Sequence, residues 1–443
     1  MTGSLVRGSR QKQASSEAIM SNIGQSIEVN GRIYGWPERP LVVVCIDGSE
    51  PDYIEQAVAA GAMPFTAGMI ARGADLRAES VVPSFTNPNN LSIVTGQPPS
   101  VHGICGNFFY DRDADAEVMM NDPAFLRAPT IFAGFEQAGA RIVVITAKDK
   151  LRRLLGYGLA HGAGGSICFS AEKADEATVA ENGVEGLLQL TGLPVPSVYS
   201  ADLSEFVFAA GAKLMEREQP DLMYLSTTDY IQHKFAPGTD GANAFYQMMD
   251  GYWAALEDLG ATLVLTADHG MSAKHDASGE PDVIYLQDVL DELVGEGAVR
   301  VILPITDPYV AHHGALGSFA TAYLPDGADV QAVIRALAAI DGMDAVLTRT
   351  EACARFELPE DRVGDIVIVS TEHKALGTSA ARHDLSGLDV PLRSHGGLTE
   401  QVVPLISSVP IAAIAPEHRL RNYDAFHVGL NLAHRPVVAG KVA

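Results

Sequence analysis

Three aspartates, Asp47, Asp229 and Asp268, each stand just beyond a short apolar run: Leu41 to Ile46 (LVVVCI), Asp221 to Ser226 (DLMYLS) and Ala261 to Thr266 (ATLVLT). Continuous apolar, β-branched runs of this length are the pattern of strands buried on both faces. If the three lie together in a parallel sheet, their carboxylates converge on one edge and repel each other unless a cation compensates them. Histidines accompany them. His233 follows Asp229 by four residues, which puts both on one face of a helix beginning after the strand; His269 follows Asp268 directly; and Ser394-His395-Gly396-Gly397 sets a further imidazole in a tight turn. A lone aspartate at a strand end is most often a helix cap, and a lone histidine a surface or satisfied core residue. Three carboxylates with matched imidazoles point instead to metal.

Thr86 lies within Val81 to Gly103, VVPSFTNPNNLSIVTGQPPSVHG. An apolar segment ends at Pro83 and Pro88 suits a first helical position, so Thr86 is expected just ahead of a helix N-terminus. Backbone N–H groups and the helix dipole there favour a phosphate or the alkoxide of Thr86 itself. On local preference alone the plainer reading is a capping threonine.

The surrounding chain alternates strands with helices. Helices are predicted over Tyr53 to Ala60, Pro129 to Ala138, Glu205 to Glu218 and Ala244 to Leu259, and another buried strand over Arg141 to Thr146, with Lys148 and Lys150 following it. The alternation predicts an α/β fold whose central sheet is mostly parallel and flanked by helices, with ligands at the strand carboxyl ends. Gly156 to Ser166 is glycine-rich but lacks the Lys-Ser or Lys-Thr ending of a P-loop, and reads as a connection. From Ser272 to about Val390 the texture changes. Val301 to Ile305, Ser318 to Leu324, a helix over Val330 to Ile340, and Ala345 to Thr350 predict a smaller α+β cap insertion, with Asp365 to Ser370 either at its edge or leading back to the core. The expected organisation is an N-terminal arm or leader, partly disordered, over 1–37, a catalytic core over 38–271 and 391–443, and the cap over 272–390.

Composition bounds the partners. In 443 residues, 47% are hydrophobic and 19% charged, and no apolar run approaches the length of a membrane span. The formal charge of −24 argues against a general nucleic-acid surface or an anionic membrane as partner. A small anionic substrate would need a local cationic site. Cys45, Cys105, Cys168 and Cys353 form no C-x-x-C pair and read as reduced structural thiols. Residues 1–19 are polar and lack the apolar region of a secretory signal, so a cytoplasmic location is expected. A homodimer is compatible with these features, which select no oligomeric state.

In order along the chain, LVVVCIDG, PSFTNPNNLSIVTGQPPSVHG, STTDYIQH, TADHGM and RSHGG resemble the alkaline phosphatase superfamily, in the branch containing nucleotide pyrophosphatase/phosphodiesterases and phosphonoacetate hydrolases. With GICGNFFYD and AKDKLRRLLG added, the set is most similar to the phosphonoacetate hydrolases, and it spans Leu41 to about Gly397. The resemblance implies an alkaline phosphatase-like fold and two zinc ions, one held by Asp229, His233 and His395, the other by Asp47, Asp268 and His269 with the oxygen of Thr86. Aspartate and histidine ligands suit zinc, and a set without cysteine leaves Mn2+ or Fe2+ able to replace it. Thr86 is then the nucleophile, passing through a phosphothreonine, and Asn107, 21 residues on, holds a phosphoryl oxygen.

The reaction implied is hydrolysis of the carbon–phosphorus bond of phosphonoacetate. The departing carbon must carry a carbanion, which an adjacent carboxylate spreads into an enolate-like form if the site stabilises it. Lys148 and Lys150 are the best local cations for that carboxylate; Arg152 and Arg153 are weaker candidates. One alternative is a nucleotide pyrophosphatase/phosphodiesterase with the same metals, which needs an aromatic slot for a base. Another is a non-catalytic metal-binding homologue, against which Thr86 and the complete ligand set argue. His102, His275, His312, His313 and His383 read as structural or surface residues, and His427 as packing.

Overall fold

The computed structural model describes residues 24–305 and 315–434. Among these, seven strands form the central sheet: β1 (Leu41–Cys45), β2 (Ala74–Glu79), β3 (Ile142–Thr146), β4 (Ile167–Ser170), β5 (Leu222–Ser226), β6 (Thr262–Thr266) and β7 (Val402–Ser407), in the order β2-β7-β6-β1-β5-β3-β4. β6, β1, β5, β3 and β4 are mutually parallel, while β7 runs antiparallel to both β6 and β2. The register puts Cys45 beside Ser226 on one side and Thr266 on the other. Asp47, Asp229 and Asp268, two or three residues further along their strands, therefore leave the sheet at the same edge.

Both faces of β1 are buried, which explains its unbroken apolar sequence. Leu41, Val43 and Cys45 face a core with Leu91, Ile93, Val94, Phe132 and Phe426; Val42, Val44 and Ile46 face another with Tyr53, Phe206, Trp253 and Leu256. Full burial of one such aliphatic side chain contributes roughly 1.5–3 kcal/mol. The helices that supply these faces include α1 (Pro51–Ala59), α2 (Thr86–Thr95), α3 (Asp149–Leu155), α4 (Asp202–Glu218), α5 (Tyr230–Lys234) and α6 (Asp240–Asp258). Gly156 to Ser166 joins α3 to β4, as a connection should.

Four features depart from the sequence reading. Neither β2 nor β7 is signalled by its residues: ADLRAE carries charges along an edge strand, and VVPLIS has Pro404 in mid-run, a residue that argues against a central strand. Thr86, expected ahead of the helix, is its first residue; Phe85 occupies the cap position and makes no side-chain cap bond, so the Thr86 hydroxyl is not used in capping. A second sheet, antiparallel throughout, orders Arg300–Ile302, Phe319–Tyr323, Ile366–Ser370 and Met343–Thr348, which makes Ile366–Ser370 an inner strand rather than an edge. His312, His313 and the segment 1–19 lie outside the described residues.

Of the remaining histidines, His102, His275 and His383 are held by local bonds. His275 Nδ1 faces the Asp276 carbonyl at 2.9 Å, the Thr378 amide donates to His383 at 2.9 Å, and His427 is half-buried in a short helix. His102 is fully buried: its Nδ1 accepts from the Ile104 amide at 3.2 Å and its Nε2–H reaches Ser92 Oγ, on α2, at 2.9 Å. Burial and the charge of Arg362 hold it down at about 3. Since an unfolded histidine titrates near 6.5, this group's stabilising contribution is complete above about pH 6.5 and is lost as pH falls toward 3, by up to about 1.4 kcal/mol per unit. Urea unfolding in chelator from pH 7 to 4 is expected to show a steeper acid loss of stability in the wild type than in His102→Asn.

Candidate metal and active site

Thr86 is fixed from below by two adjacent asparagines of α2. Asn89 offers its amide hydrogens to the carbonyls of Val81, Pro83 and Phe85 at 3.0–3.3 Å, and its Oδ1 accepts from the Val81 amide at 2.7 Å and from Asn422 at 2.9 Å. The turn into the helix is thus sewn to the helix itself. Asn90 donates to the Thr86 carbonyl at 3.0 Å and to Asp268 Oδ2 at 3.1 Å, and accepts from Tyr224 at 2.7 Å and Ser226 at 3.0 Å. Both side chains are fully buried and fully bonded, as buried amides must be. Their sequence signal is slight: poor helix formers in a short polar run, in a helix that is buried from Pro88 onward.

The three histidines share one arrangement. His233 Nδ1 contacts the Arg393 carbonyl at 2.7 Å, His269 Nδ1 the Gly270 carbonyl at 2.8 Å, and His395 Nδ1 the Ser84 carbonyl at 2.7 Å. A carbonyl only accepts, so each Nδ1 carries the hydrogen, and in the neutral ring Nε2 turns a lone pair toward the carboxylates. His233 and His395 place Nε2 at 2.9 and 3.8 Å from the same atom, Asp229 Oδ2. His269 Nε2 lies 3.3 Å from Asp47 Oδ1, 3.8 Å from Asp268 Oδ2 and 3.4 Å from Thr86 Oγ1. The rings of His269 and His395 stack at 3.6 Å.

Two clusters of metal-ligating type result, Asp47 with Asp268 and His269, and Asp229 with His269 and His395, each with its ligating atoms within 4.8 Å of one another. His233 joins the second through Asp229, and His269 borders both. All seven residues read from the sequence as ligands are brought to one place.

Charge explains what the site requires. Burial first, then the charges of Asp268 and Asp229, push Asp47 well above the usual carboxylate range; burial likewise raises Asp268. Burial alone would lower His269, but Asp268 and Asp47 outweigh it and raise it to about 10, while burial and the charge of His269 press His395 well down. Asp47 Oδ1 is buried yet has no hydrogen-bond donor. A proton on His269 and a cation between the carboxylates are alternative ways to neutralise the same charge. Carboxylate oxygens, imidazole nitrogens and a hydroxyl, without thiolate, fit a divalent first-row metal.

A cleft of about 480 Å³ opens from this centre. Thr86, Asp47, Asp229 and His395 line one end, and Asn107, Lys148 and Lys150 also line it, joined by Asn121, Thr228 and Lys173, which the sequence did not suggest. Lys148 is at the cap position of α3; its ammonium donates to the Val198 carbonyl at 2.6 Å and stands 5.5 Å from the Tyr199 ring. Arg152 is engaged by Asp149 at 2.6 Å. Asn107 stands at the base of the hairpin Phe108–Asp111/Ala116–Met119, its amide bonded to the Pro304 carbonyl at 2.7 Å and its carbonyl to the Met120 amide at 2.8 Å.

Each cation bound at 100 times its dissociation constant would stabilise the fold by about 2.7 kcal/mol. Chelation is therefore expected to lower Tm, and titration with Zn2+ or Mn2+ to restore it with two equivalents per chain; Asp268→Asn should take up at most one. Calorimetry with atomic absorption measures both.

The sequence over residues 41–397 matches the type I phosphodiesterase / nucleotide pyrophosphatase family. Two crystal structures of phosphonoacetate hydrolase from Sinorhizobium meliloti, one in complex with phosphonoacetate and one with phosphonoformate, are 61% and 62% identical to this chain, cover 92% of it and 98% of their own chains, and superpose with a TM-score of 0.89. Murine ectonucleotide pyrophosphatase/phosphodiesterase 5 shares the fold, with a TM-score of 0.59 at 19% identity over 89% of this chain and 96% of its own. A curated ectonucleotide pyrophosphatase/phosphodiesterase of Caenorhabditis elegans is 32% identical over 91 residues, 20% of this chain and 11% of that protein.

Proposed function

The chain belongs to the type I phosphodiesterase / nucleotide pyrophosphatase family, and from that premise we propose that it hydrolyses the carbon–phosphorus bond of phosphonoacetate to acetate and phosphate. The 61% identity to the Sinorhizobium meliloti phosphonoacetate hydrolase supports this substrate. The observation that carries the reading is the pair Lys148 and Lys150 lining the same cleft as Thr86, two cations facing a site meant for a small anion. Of the two phenylalanines that line the cleft, Phe85 is buried and packs at right angles to the rings of Phe319 and His395, and Phe108 is partly exposed.

Asp229, His233 and His395 would hold one divalent cation and Asp47, Asp268 and His269, with Thr86 Oγ1, the other; Zn2+ is the proposed pair, with Mn2+ or Fe2+ as substitutes. Bound there, the two ions would supply positive charge that lowers the pKa of the Thr86 hydroxyl and offsets the charge of the phosphonate.

The Thr86 hydroxyl gives its proton to water and its Oγ attacks phosphorus opposite the carbon, water in turn being the source of the proton that the carbon takes up. As the O–P bond forms, the P–C bond breaks and its electron pair passes to the methylene carbon, spread into the neighbouring carboxylate. Lys148 and Lys150 hold that carboxylate and stabilise the charge it gains, while Asn107 donates to a phosphoryl oxygen. The carbon takes up a proton and leaves as acetate. Water then cleaves the O–P bond of the phosphothreonine, giving phosphate and returning the Thr86 hydroxyl. No helix among the described residues is long and apolar enough to cross a membrane.

Thr86→Ala is expected to lower kcat for phosphonoacetate by three orders of magnitude or more while keeping two metals, by loss of the nucleophile; turnover by that variant with both metals bound would sink the covalent scheme. Lys148→Ala and Lys150→Ala are each expected to raise KM about 10- to 100-fold, since a hydrogen bond to a charged group is worth roughly 1.5–3 kcal/mol. Neither should slow release of 4-nitrophenol from the nitrophenyl ester of thymidine monophosphate. If the wild type cleaved that ester much faster than phosphonoacetate, the nucleotide reading would prevail.

A further inference from the structure

Lys274 is fully buried, a position lysine takes only when paired. Its ammonium donates to Glu400 Oε1 at 2.9 Å and to the Glu372 carbonyl at 2.5 Å, and the Glu400 side chain is fully buried with it. Neither residue lines the cleft, and neither takes part in the chemistry above. A buried ion pair contributes little to stability compared with an apolar pair of the same size, so its position is more informative than its energy.

Glu400 touches both histidine turns that border the shared metal centre. Its backbone carbonyl accepts from the Gly270 amide at 2.7 Å, next to His269; its carboxylate Oε2 accepts from the Gly397 amide at 2.8 Å, two residues after His395; and Oε1 also accepts from Thr399 at 2.6 Å. The His395 turn in turn holds the nucleophile's loop: the Gly397 carbonyl accepts from Ser84 Oγ at 2.8 Å, and His395 Nδ1 donates to the Ser84 carbonyl, two residues before Thr86. Close packing leaves no slack, because a Cβ at Gly397 would stand 3.0 Å from Ser318 Cβ and 3.1 Å from Glu400 Oε2.

We infer that Glu400, oriented by Lys274, is a positioning residue that sets the distance between the two metal ions by tying the His269 turn to the His395 turn. The inference rests on the two-cation reading of the site. A carboxylate is needed because every partner of the Glu400 side chain is a donor: Lys274, Gly397 and Thr399. Glutamine in its place would aim its own N–H groups at one of these donors and leave that bond unmade.

The test loads wild type, Glu400→Gln, and the double variant Lys274→Met with Glu400→Leu with Mn2+ alone, well below Tm. Isothermal titration gives the affinity of each site, and electron paramagnetic resonance gives the exchange coupling that depends on metal spacing. The double variant removes both buried charges together, a change such cores tolerate, and so covers the case in which Glu400→Gln does not fold. The expected result is a loss of about 10- to 100-fold in affinity for one Mn2+, the range seen when a group orienting a ligand is removed, with altered coupling in whichever variants fold. Folded variants with a lower Tm but native affinity and native coupling would overturn the inference, leaving Glu400 a purely structural residue. A wild type that takes up fewer than two Mn2+, or an uncoupled pair, would instead overturn the metal reading on which the inference stands.

Discussion

The convergence of three carboxylates at the ends of β5, β1 and β6, those of Asp47 and Asp268 buried and that of Asp229 partly so, is the constraint to which the rest of the site responds. Parallel register leaves no choice: with Cys45 between Ser226 and Thr266, the next residues of each strand must share one edge. Taking Asp47 and Asp268 out of water while they repel each other is expensive, and protein donors satisfy only part of the demand: Gly48, His269 and Asn90 serve Asp268, whereas Asp47 Oδ1 has none. The imidazoles complete the logic. Because a backbone carbonyl takes each Nδ1–H, the lone pairs of His233, His269 and His395 are directed at the same carboxylates, an arrangement without profit unless a cation lies between them.

The groups proposed to hold the substrate come from elements other than the three that carry the aspartates. Lys148 and Lys150 follow β3, two strands away from β1. Asn107 belongs to the base of a hairpin anchored on the smaller sheet, where Arg112 pairs with Asp365 at 2.5 Å, Arg300 pairs with Glu117 at 3.2 Å, and the Arg300 guanidinium stands 4.3 Å over the Tyr110 ring. Exposed pairs of this kind are individually weak, but several on one short hairpin fix its direction. The cleft is therefore bounded by an anionic floor and a lysine-bearing wall that both follow strands of the main sheet, and by a hairpin anchored on the smaller one.

What the sequence revealed follows the same division. Residues whose role depends on position along a strand were legible: the Asp47, Asp229 and Asp268 ends, the i, i+4 pair Asp229 and His233, and the parallel core they imply. Elements defined by pairing alone were not. β2 and β7 are strands because β7 has β6 and β2 to bond with, an interaction over more than a hundred residues that overrides the proline and charges in them. The buried polar ties were equally hidden. Asn89, Asn90, Lys274 and Glu400 are common surface types, and only the fold reveals that each is enclosed and saturated with partners.

This division bears on how one fold can serve different phosphorus substrates. The fold is shared with murine ectonucleotide pyrophosphatase/phosphodiesterase 5 at 19% identity, so its architecture does not by itself choose a substrate. At the metal end, a change to any of the three aspartates would remove an oxygen from a cluster of metal-ligating type, and a change to Asn89 or Asn90 would leave several backbone groups unpaired at once. Lys148 and Lys150 stand apart from the carboxylates, at the start of the helix that follows β3, where Lys148 is held by the Val198 carbonyl at 2.6 Å. On the reading proposed above, discrimination between a substrate carboxylate and a nucleoside falls to the wall that carries Lys148 and Lys150, and phosphorus chemistry to the end that carries the carboxylates.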